Sequence, residues 1–301
     1  MKPGVTRRQF LTRLTLAAGS GLIVSHVGAC NAHDSVPQSR SDGDEGVLLK
    51  TLGTADKANL VGQPVGEIMV ELGKSFLGTP YVGHTLEAPG EEHLVTNLRE
   101  FDCLTFVENM LTISRCIKMR IRTFDGFKEQ LTRIRYRGGI LDGYPSRLHY
   151  FTDWVEDNQQ KKIVREVTHD LGGVETSSVI SFMSTHRESY RQLSDTTFLA
   201  RTVANERRLT SAKRYFIPKD HLPAAENLMR GGDIIGITTS MEGMDIAHTG
   251  LAVESGGTIK FLHASLSAKK VELTDGSLAE YLARHGTQTG IIVARPLEPA
   301  A

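Results

Sequence analysis

The chain has 301 residues, and its 35 Lys and Arg balance its 35 Asp and Glu, so its formal net charge is zero. It carries no basic patch, which argues against nucleic acid as a partner. Three cysteines are too few for a disulfide-stapled scaffold, and the chain is long enough to build a large domain around its own hydrophobic core.

The first 29 residues have the pattern of an export signal. Residues 7–11 read Arg-Arg-Gln-Phe-Leu, and the weakly apolar run over 14–27 is too short to span a membrane. The segment resembles a twin-arginine (Tat) signal. Residues 27–30, Val-Gly-Ala-Cys, resemble a lipobox, which predicts that Cys30 is lipidated and anchors a periplasmic protein to the membrane. The alternative is ordinary cleavage near Ala29 and an unmodified thiol.

Residues 30–56 are rich in Ser, Asp, Gly and Gln and poor in large apolar residues. Such a composition predicts a disordered tether between the lipid anchor and the rest of the protein. Residues 57–301 show no internal repeat and no second low-complexity stretch, so we expect them to form one domain.

The first part of this domain has the apolar spacing of helices. After the first predicted helix, over residues 65–76, Gly78 and Pro80 predict a loop from Leu77 to His84. Helices are predicted over residues 65–76, 103–117, 124–136, around 153–158, within 178–190 and over 224–229.

The last part of the domain has the pattern of strands. Strands are predicted over residues 233–239, 248–254, 259–265 and 290–295. Gly256 and Gly257 form a hairpin turn between the middle two strands. Helices followed by an antiparallel sheet predict an α+β domain.

Cys103 lies in the first turn of the predicted helix over 103–117. There the unpaired backbone N–H groups and the positive end of the helix dipole favour a thiolate. The alternative is that Cys103 is a small buried hydrophobic residue. Cys116 is expected to be core packing, and no disulfide is expected, because 13 residues of helix at about 1.5 Å each separate the two cysteines by about 20 Å.

Two histidines are predicted to come together on the hairpin. A turn at Gly256 and Gly257 places His263 opposite Gly250, which shares a face with His248. One imidazole would take the proton of a thiol and the other would orient it. Asp245 with the two histidines would also offer three zinc ligands, but this interpretation leaves Cys103 without a role.

A glycine-rich and aromatic segment over residues 136–150 follows the helix predicted over 124–136. An exposed Arg147 or Tyr150 on a loop would recognise a sugar or a carboxylate. The alternative is that these side chains are packing anchors. Residues 161–206 contain strand-like 162–165 but suggest no chemistry.

The order of four motifs and a distant histidine resembles the NlpC-type papain-like peptidoglycan hydrolases, and among them the N-acetylmuramoyl-L-alanine amidase-like branch. The matching residues are Gly78-Thr79-Pro80-Tyr81, Phe101-Asp102-Cys103, Gly232-Asp233-Ile234-Ile235, Ala247-His248-Thr249-Gly250 and His263. The resemblance covers about residues 65–295. One departure is Leu104-Thr105 after the cysteine, where endopeptidases of this type read Ser-Gly.

The resemblance implies a papain-like NlpC-type core, in which a helix carrying the nucleophile packs on an antiparallel sheet, with residues 119–230 as a mostly helical insertion. It implies that Cys103 is the nucleophile, His248 the general base and His263 the orienting residue. Tyr81 and Asp102 are expected near the substrate. Residues 57–301 would then be a cysteine amidase or peptidase domain.

The expected substrate is peptidoglycan or its muropeptide fragments, cut at the amide between N-acetylmuramic acid and L-Ala. One alternative is cleavage within the stem peptide by a D,L-endopeptidase. Another is a peptidoglycan-binding lipoprotein without catalysis. No nucleotide, haem or iron–sulfur motif is present, so no cofactor and no metal is expected.

Overall fold

A computed structural model describes residues 38–300, and their side chains from residue 43 onward. The predicted export signal over 1–29, the lipidation of Cys30 and the first residues of the predicted tether lie outside these residues. Among the residues described, no helix combines the length and the apolarity that a bilayer crossing requires.

Helices dominate the first part of the described chain, as the apolar spacing predicted. In chain order they are α1 (Gln38–Lys57), α2 (Val65–Ser75), α3 (Cys103–Lys118), α4 (Phe124–Arg135), α5 (Phe151–Gln160), α6 (Phe182–Thr185), α7 (Thr196–Ser211), α8 (Leu222–Glu226) and α9 (Leu278–Ala283).

The strands form one antiparallel sheet. They are β1 (Val164–Glu166), β2 (Val174–Thr176), β3 (Arg214–Pro218), β4 (Ile234–Thr239), β5 (Ile246–Ser255), β6 (Thr258–Ser265), β7 (Lys270–Leu273) and β8 (Gln288–Pro296). Their order is β2-β3-β8-β4-β5-β6-β7, and β1 pairs with β8 beside β3. The predicted α+β class is confirmed.

Helices cover both faces of this sheet. Alternate residues of the strands pack against α1 to α5 on one face, and the residues between them pack against α8 and α9 on the other. The helix α3 is buried along most of its length and contacts β5 and β6. The start of α3 and the β5–β6 hairpin are therefore held in a fixed relation.

The prediction of a disordered tether is wrong for residues 38–56, because α1 occupies them. Leu48, Leu52 and Ala55 recur at helical spacing and are buried in the main core. The carboxylate of Asp44 accepts hydrogen bonds from the backbone N–H of Leu98 and from the side chain of Arg99. The polar composition of the segment concealed one narrow apolar stripe.

The segment over 119–230 is largely helical, but it is not separate from the sheet, since it supplies β1, β2 and β3. The helix expected within 178–190 is reduced to α6 and one 3-10 turn, Arg187–Ser189. Beside α7, aromatic and aliphatic side chains of this segment form a small core of their own, which includes Tyr144, Tyr150 and Phe182.

Candidate active site

Cys103 is the first residue of α3, as predicted, and Asp102 is its N-cap. Oδ1 of Asp102 accepts the backbone N–H of Thr105 at 2.8 Å, and Oγ1 of Thr105 accepts the N–H of Asp102 at 2.9 Å. This reciprocal capping box fixes the helix start. Thr105 therefore has a structural role as the partner of Asp102 in this box. Asp102, which was expected near the substrate, caps the helix that begins at Cys103.

The two histidines predicted to meet on the hairpin do meet. Nε2 of His248 lies 2.6 Å from Nδ1 of His263, and the two ring planes are 85° apart. The hairpin turn has the predicted register, with Ser255 opposite Thr258 and Leu251 opposite Leu262. At this distance the two nitrogens share a hydrogen bond, so the tautomer of one ring determines that of the other.

Burial keeps both imidazoles neutral near pH 7. It is the main cause that lowers the pKa of His248 to about 4, and His285 contributes. Burial also lowers the pKa of His263 to about 2, with smaller effects from His248 and His285. A neutral His248 is able to accept a proton, which is what a general base requires.

Aromatic rings from α9 and β6 pack against the pair, and the apolar spacing of the sequence did not predict this contact. Phe261 stacks on His263 with centroids 4.6 Å apart, and Tyr281 contacts the same histidine at 5.3 Å. Burial, followed by the charge of Glu272 and a smaller effect of Cys103, raises the pKa of Tyr281 to about 12. The influence of Cys103 on Tyr281 is consistent with the packing of α3, which begins at Cys103, against β5 and β6.

Tyr81 runs alongside the residues that lead into α3. It forms a parallel bridge with Phe101, and its N–H donates to the carbonyl of Lys269 at 2.9 Å. The loop 77–84 is thus tied both to the approach to Cys103 and to the end of the β6–β7 hairpin. The structure thus places the backbone of Tyr81 beside Phe101, two residues before Cys103, while its expected contact with the substrate stays a prediction.

Arg147 and Tyr150 are not the exposed loop residues that the sequence suggested. Arg147 is 6% exposed and pairs with Glu87 at 2.6 Å and with Glu92 at 3.0 Å. Tyr150 is 5% exposed and donates its hydroxyl to Glu206 at 2.7 Å. Both side chains lie inside the protein, where carboxylates far away in the sequence pair with them. These contacts tie residues 147–150 to other parts of the chain.

Asp245, the third ligand of the alternative zinc site, is engaged in hydrogen bonds with the backbone. Its carboxylate accepts the backbone N–H of Thr152, in the first turn of α5, and that of Ile246, both at 2.8 Å. Within residues 38–300, no group of three or more His, Cys, Asp or Glu is arranged to hold a metal ion.

Neither Cys103 nor Cys116 forms a disulfide, and burial raises the pKa of Cys116 to about 12.

Gly250 is required where the two strands approach each other at the histidine pair. A Cβ at this position would stand 2.7 Å from the carbonyl oxygen of Leu262 and 2.8 Å from Cβ of His263. Gly250→Ala is expected to lower the free energy of unfolding by about 1–3 kcal/mol, because the strands must separate. Urea denaturation measures this effect. Gly286→Ala, where nothing lies within 4 Å, is the control; equal stability of both variants would contradict the prediction.

The fold and the site define an α+β protein that holds a cysteine at the start of a buried helix and a hydrogen-bonded histidine pair on an antiparallel sheet. A family model described as N-acetylmuramoyl-L-alanine amidase-like matches residues 71–291. The chain therefore belongs to the N-acetylmuramoyl-L-alanine amidase-like family.

Two solved structures are similar to this chain over most of its length. A N-acetylmuramoyl-L-alanine amidase from Bacteroides uniformis is 36% identical, with 77% of this chain and 99% of that chain covered and a TM-score of 0.72. A putative xylanase from Bacteroides fragilis is 35% identical over 74% and 98% of the chains, with a TM-score of 0.68. No curated protein is matched. Together the family and the amidase neighbour support a cell-wall amidase-like function.

A third solved structure is similar to this chain in fold. A protein from Legionella pneumophila that matches the DUF1460 family model is 20% identical, covers 86% of this chain and 96% of its own, and has a TM-score of 0.65. At this identity the likeness concerns the architecture alone.

Proposed function

We propose that this protein hydrolyses the amide between N-acetylmuramic acid and L-Ala in peptidoglycan or its fragments, through a thioester on Cys103. The observation that carries the proposal is the 2.6 Å contact of His248 with His263, in a domain whose Cys103 begins the helix packed on the same two strands. A thiol, a neutral base and a group that orients the base are the parts that acyl transfer needs.

The proposed chemistry starts at Nδ1 of His248, because Nε2 is engaged by His263. Nδ1 takes the thiol proton while the sulfur of Cys103 bonds to the amide carbonyl carbon. The C–N bond then breaks, and His248 gives the same proton to the leaving amine of L-Ala. Water, deprotonated by His248, attacks the thioester, and the proton returns to the sulfur.

The oxyanion of each tetrahedral intermediate needs preorganised donors. The N–H groups of the first turn of a helix have no acceptor within the helix, and the capping box uses that of Thr105. We assign the oxyanion contact to the N–H of Cys103, at the positive end of α3. Tyr81, beside Phe101, and Asp102 are assigned to the substrate side of the site, whereas the ion pairs of Arg147 and the buried hydroxyl of Tyr150 favour internal roles.

We further infer a papain-like core of the NlpC type and a periplasmic location. The order of the motifs around Cys103, His248 and His263, together with a buried helix on an antiparallel sheet, supports the core. The Tat-like residues 7–11 and the lipobox ending at Cys30 support export and a lipid anchor. Metabolic labelling with radioactive palmitate, compared with Cys30→Ala, tests the anchor.

Incubation with defined muropeptides and mass spectrometry of the products test the proposed bond. A disaccharide–peptide substrate is expected to yield free stem peptide that begins with L-Ala and an intact disaccharide. Fragments cut between D-Glu and the diamino acid would instead assign an endopeptidase. Binding without any product, with intact wall as well as fragments, would favour a peptidoglycan-binding lipoprotein.

A further inference from the structure

The proposed chemistry gives no role to the second ring nitrogen of His263, Nε2. Nε2 of His263 is buried and forms no hydrogen bond with any of the residues that the structure describes. The ring as a whole is 1% exposed. A carboxylate oxygen, Oε1 of Glu272, lies 3.7 Å from this nitrogen.

Glu272 is held in this position by the sheet. It lies on β7 directly opposite His263 on β6. Its side chain is 33% exposed, so it reaches both the buried histidine and solvent. A small rotation of the carboxylate would complete a hydrogen bond from Nε2.

The position of each proton follows from the His248–His263 contact. If Nδ1 of His248 is to accept the thiol proton, Nε2 of His248 must carry the hydrogen and donate it to Nδ1 of His263. A neutral His263 then carries its own hydrogen on Nε2, which faces Glu272. The opposite tautomer of His263 would place two hydrogens between the rings, or would force the hydrogen of His248 onto Nδ1 and block the base.

We propose that Glu272 is a positioning residue, which selects the Nε2–H tautomer of His263 and thereby keeps Nδ1 of His248 ready to accept a proton. This inference rests on the proposed function only for its effect on rate; the tautomer itself is a property of the resting protein. Glu272 also supplies a negative charge that stabilises the pair when His248 becomes an imidazolium.

The other titratable groups around His263 do not offer the same contact. His285 is exposed, and its Nδ1 lies 2.8 Å from the backbone carbonyl of Tyr281. The ring of Tyr281 meets that of His263 edge-on, and burial raises the pKa of its hydroxyl to about 12, so Tyr281 is neutral near pH 7. Glu272 is thus the group with a negative charge that faces the buried nitrogen.

Nitrogen-15 NMR of the histidine rings tests the tautomer directly. The full chain, labelled at histidine, is expected to show His263 with a protonated Nε2 and an unprotonated Nδ1 at pH 7, the assignment being made with His263→Gln. In Glu272→Ala the two nitrogen shifts are expected to move toward the opposite tautomer or an average. Glu272→Gln, whose amide oxygen still accepts a hydrogen bond, is expected to stay close to the wild type.

Kinetics on the muropeptide cleaved by the wild type provide the second readout. Glu272→Ala is expected to lower kcat about 10-fold to 100-fold and to leave KM nearly unchanged, with partial recovery in Glu272→Gln. Glu175→Ala, an exposed glutamate on β2, is the matched control. An unchanged His263 tautomer in Glu272→Ala would overturn the inference, even if no muropeptide were cleaved and the proposed function had failed. A kcat within twofold of the control would also overturn it.

Discussion

Replacing Cys103 with alanine is expected to abolish the proposed amide hydrolysis, with a loss in kcat/KM on the order of 10⁴-fold or more, because the proposed thioester forms on this sulfur. The fold is expected to survive, because Cys103 is half-buried and the capping box of α3 uses Asp102 and Thr105 instead. The measurement is the rate of stem-peptide release from muropeptides, with circular dichroism as a check of folding.

Cys116 provides the matched control in the same helix. It is fully buried in the main core, and burial raises the pKa of its thiol. Cys116→Ala should therefore retain activity while losing about 1 kcal/mol of stability. Full activity in Cys103→Ala, or a complete loss in Cys116→Ala without unfolding, would contradict the assignment of the nucleophile.

Replacing Arg135 with alanine has the largest expected effect on stability. Nε of Arg135 lies 2.7 Å from Oε2 of Glu108, and both side chains are buried between α3 and α4. Burial raises the pKa of Glu108, while the charge of Arg135 opposes that rise. Without the guanidinium the carboxylate is left buried and unpaired, so Arg135→Ala is expected to cost about 3–5 kcal/mol of unfolding free energy.

Urea denaturation at pH 7 measures this cost. Arg133→Ala, an exposed position in the same helix, should change stability by about 0.5 kcal/mol or less. The double variant Glu108→Gln with Arg135→Met should recover much of the loss, because no charge remains buried. A single variant Arg135→Ala as stable as Arg133→Ala would show that the buried pair contributes little.

The parts of the site that local patterns specify could be predicted from the sequence. The apolar spacing after Cys103 located α3, and the glycine turn fixed the register that brings His248 to His263. Both inferences use neighbours within about 20 residues, where periodicity and turn geometry determine the structure.

The parts that long-range packing creates could not be predicted in this way. Tyr281 and Glu272 reach the histidines through α9 and β7, two short elements that the periodicity did not indicate. Arg147 appeared to be a loop residue because its partners Glu87 and Glu92 lie more than 50 positions away in the chain. In α1, an average over a polar segment concealed the few buried leucines.

The measurement that tests the account most directly is the mass of the covalent intermediate. The protein is mixed with a disaccharide–peptide muropeptide, quenched in acid within milliseconds to seconds, and analysed by intact mass and after digestion with trypsin. Trypsin cleaves after Arg99 and Arg115, so the peptide 100–115 contains Cys103 but not Cys116. We expect this peptide to carry the disaccharide, bonded to Cys103 through the lactoyl carbonyl. An adduct that ends in D-Glu would contradict the proposed bond, and product formation with no adduct on Cys103 under any quench time would contradict the thioester.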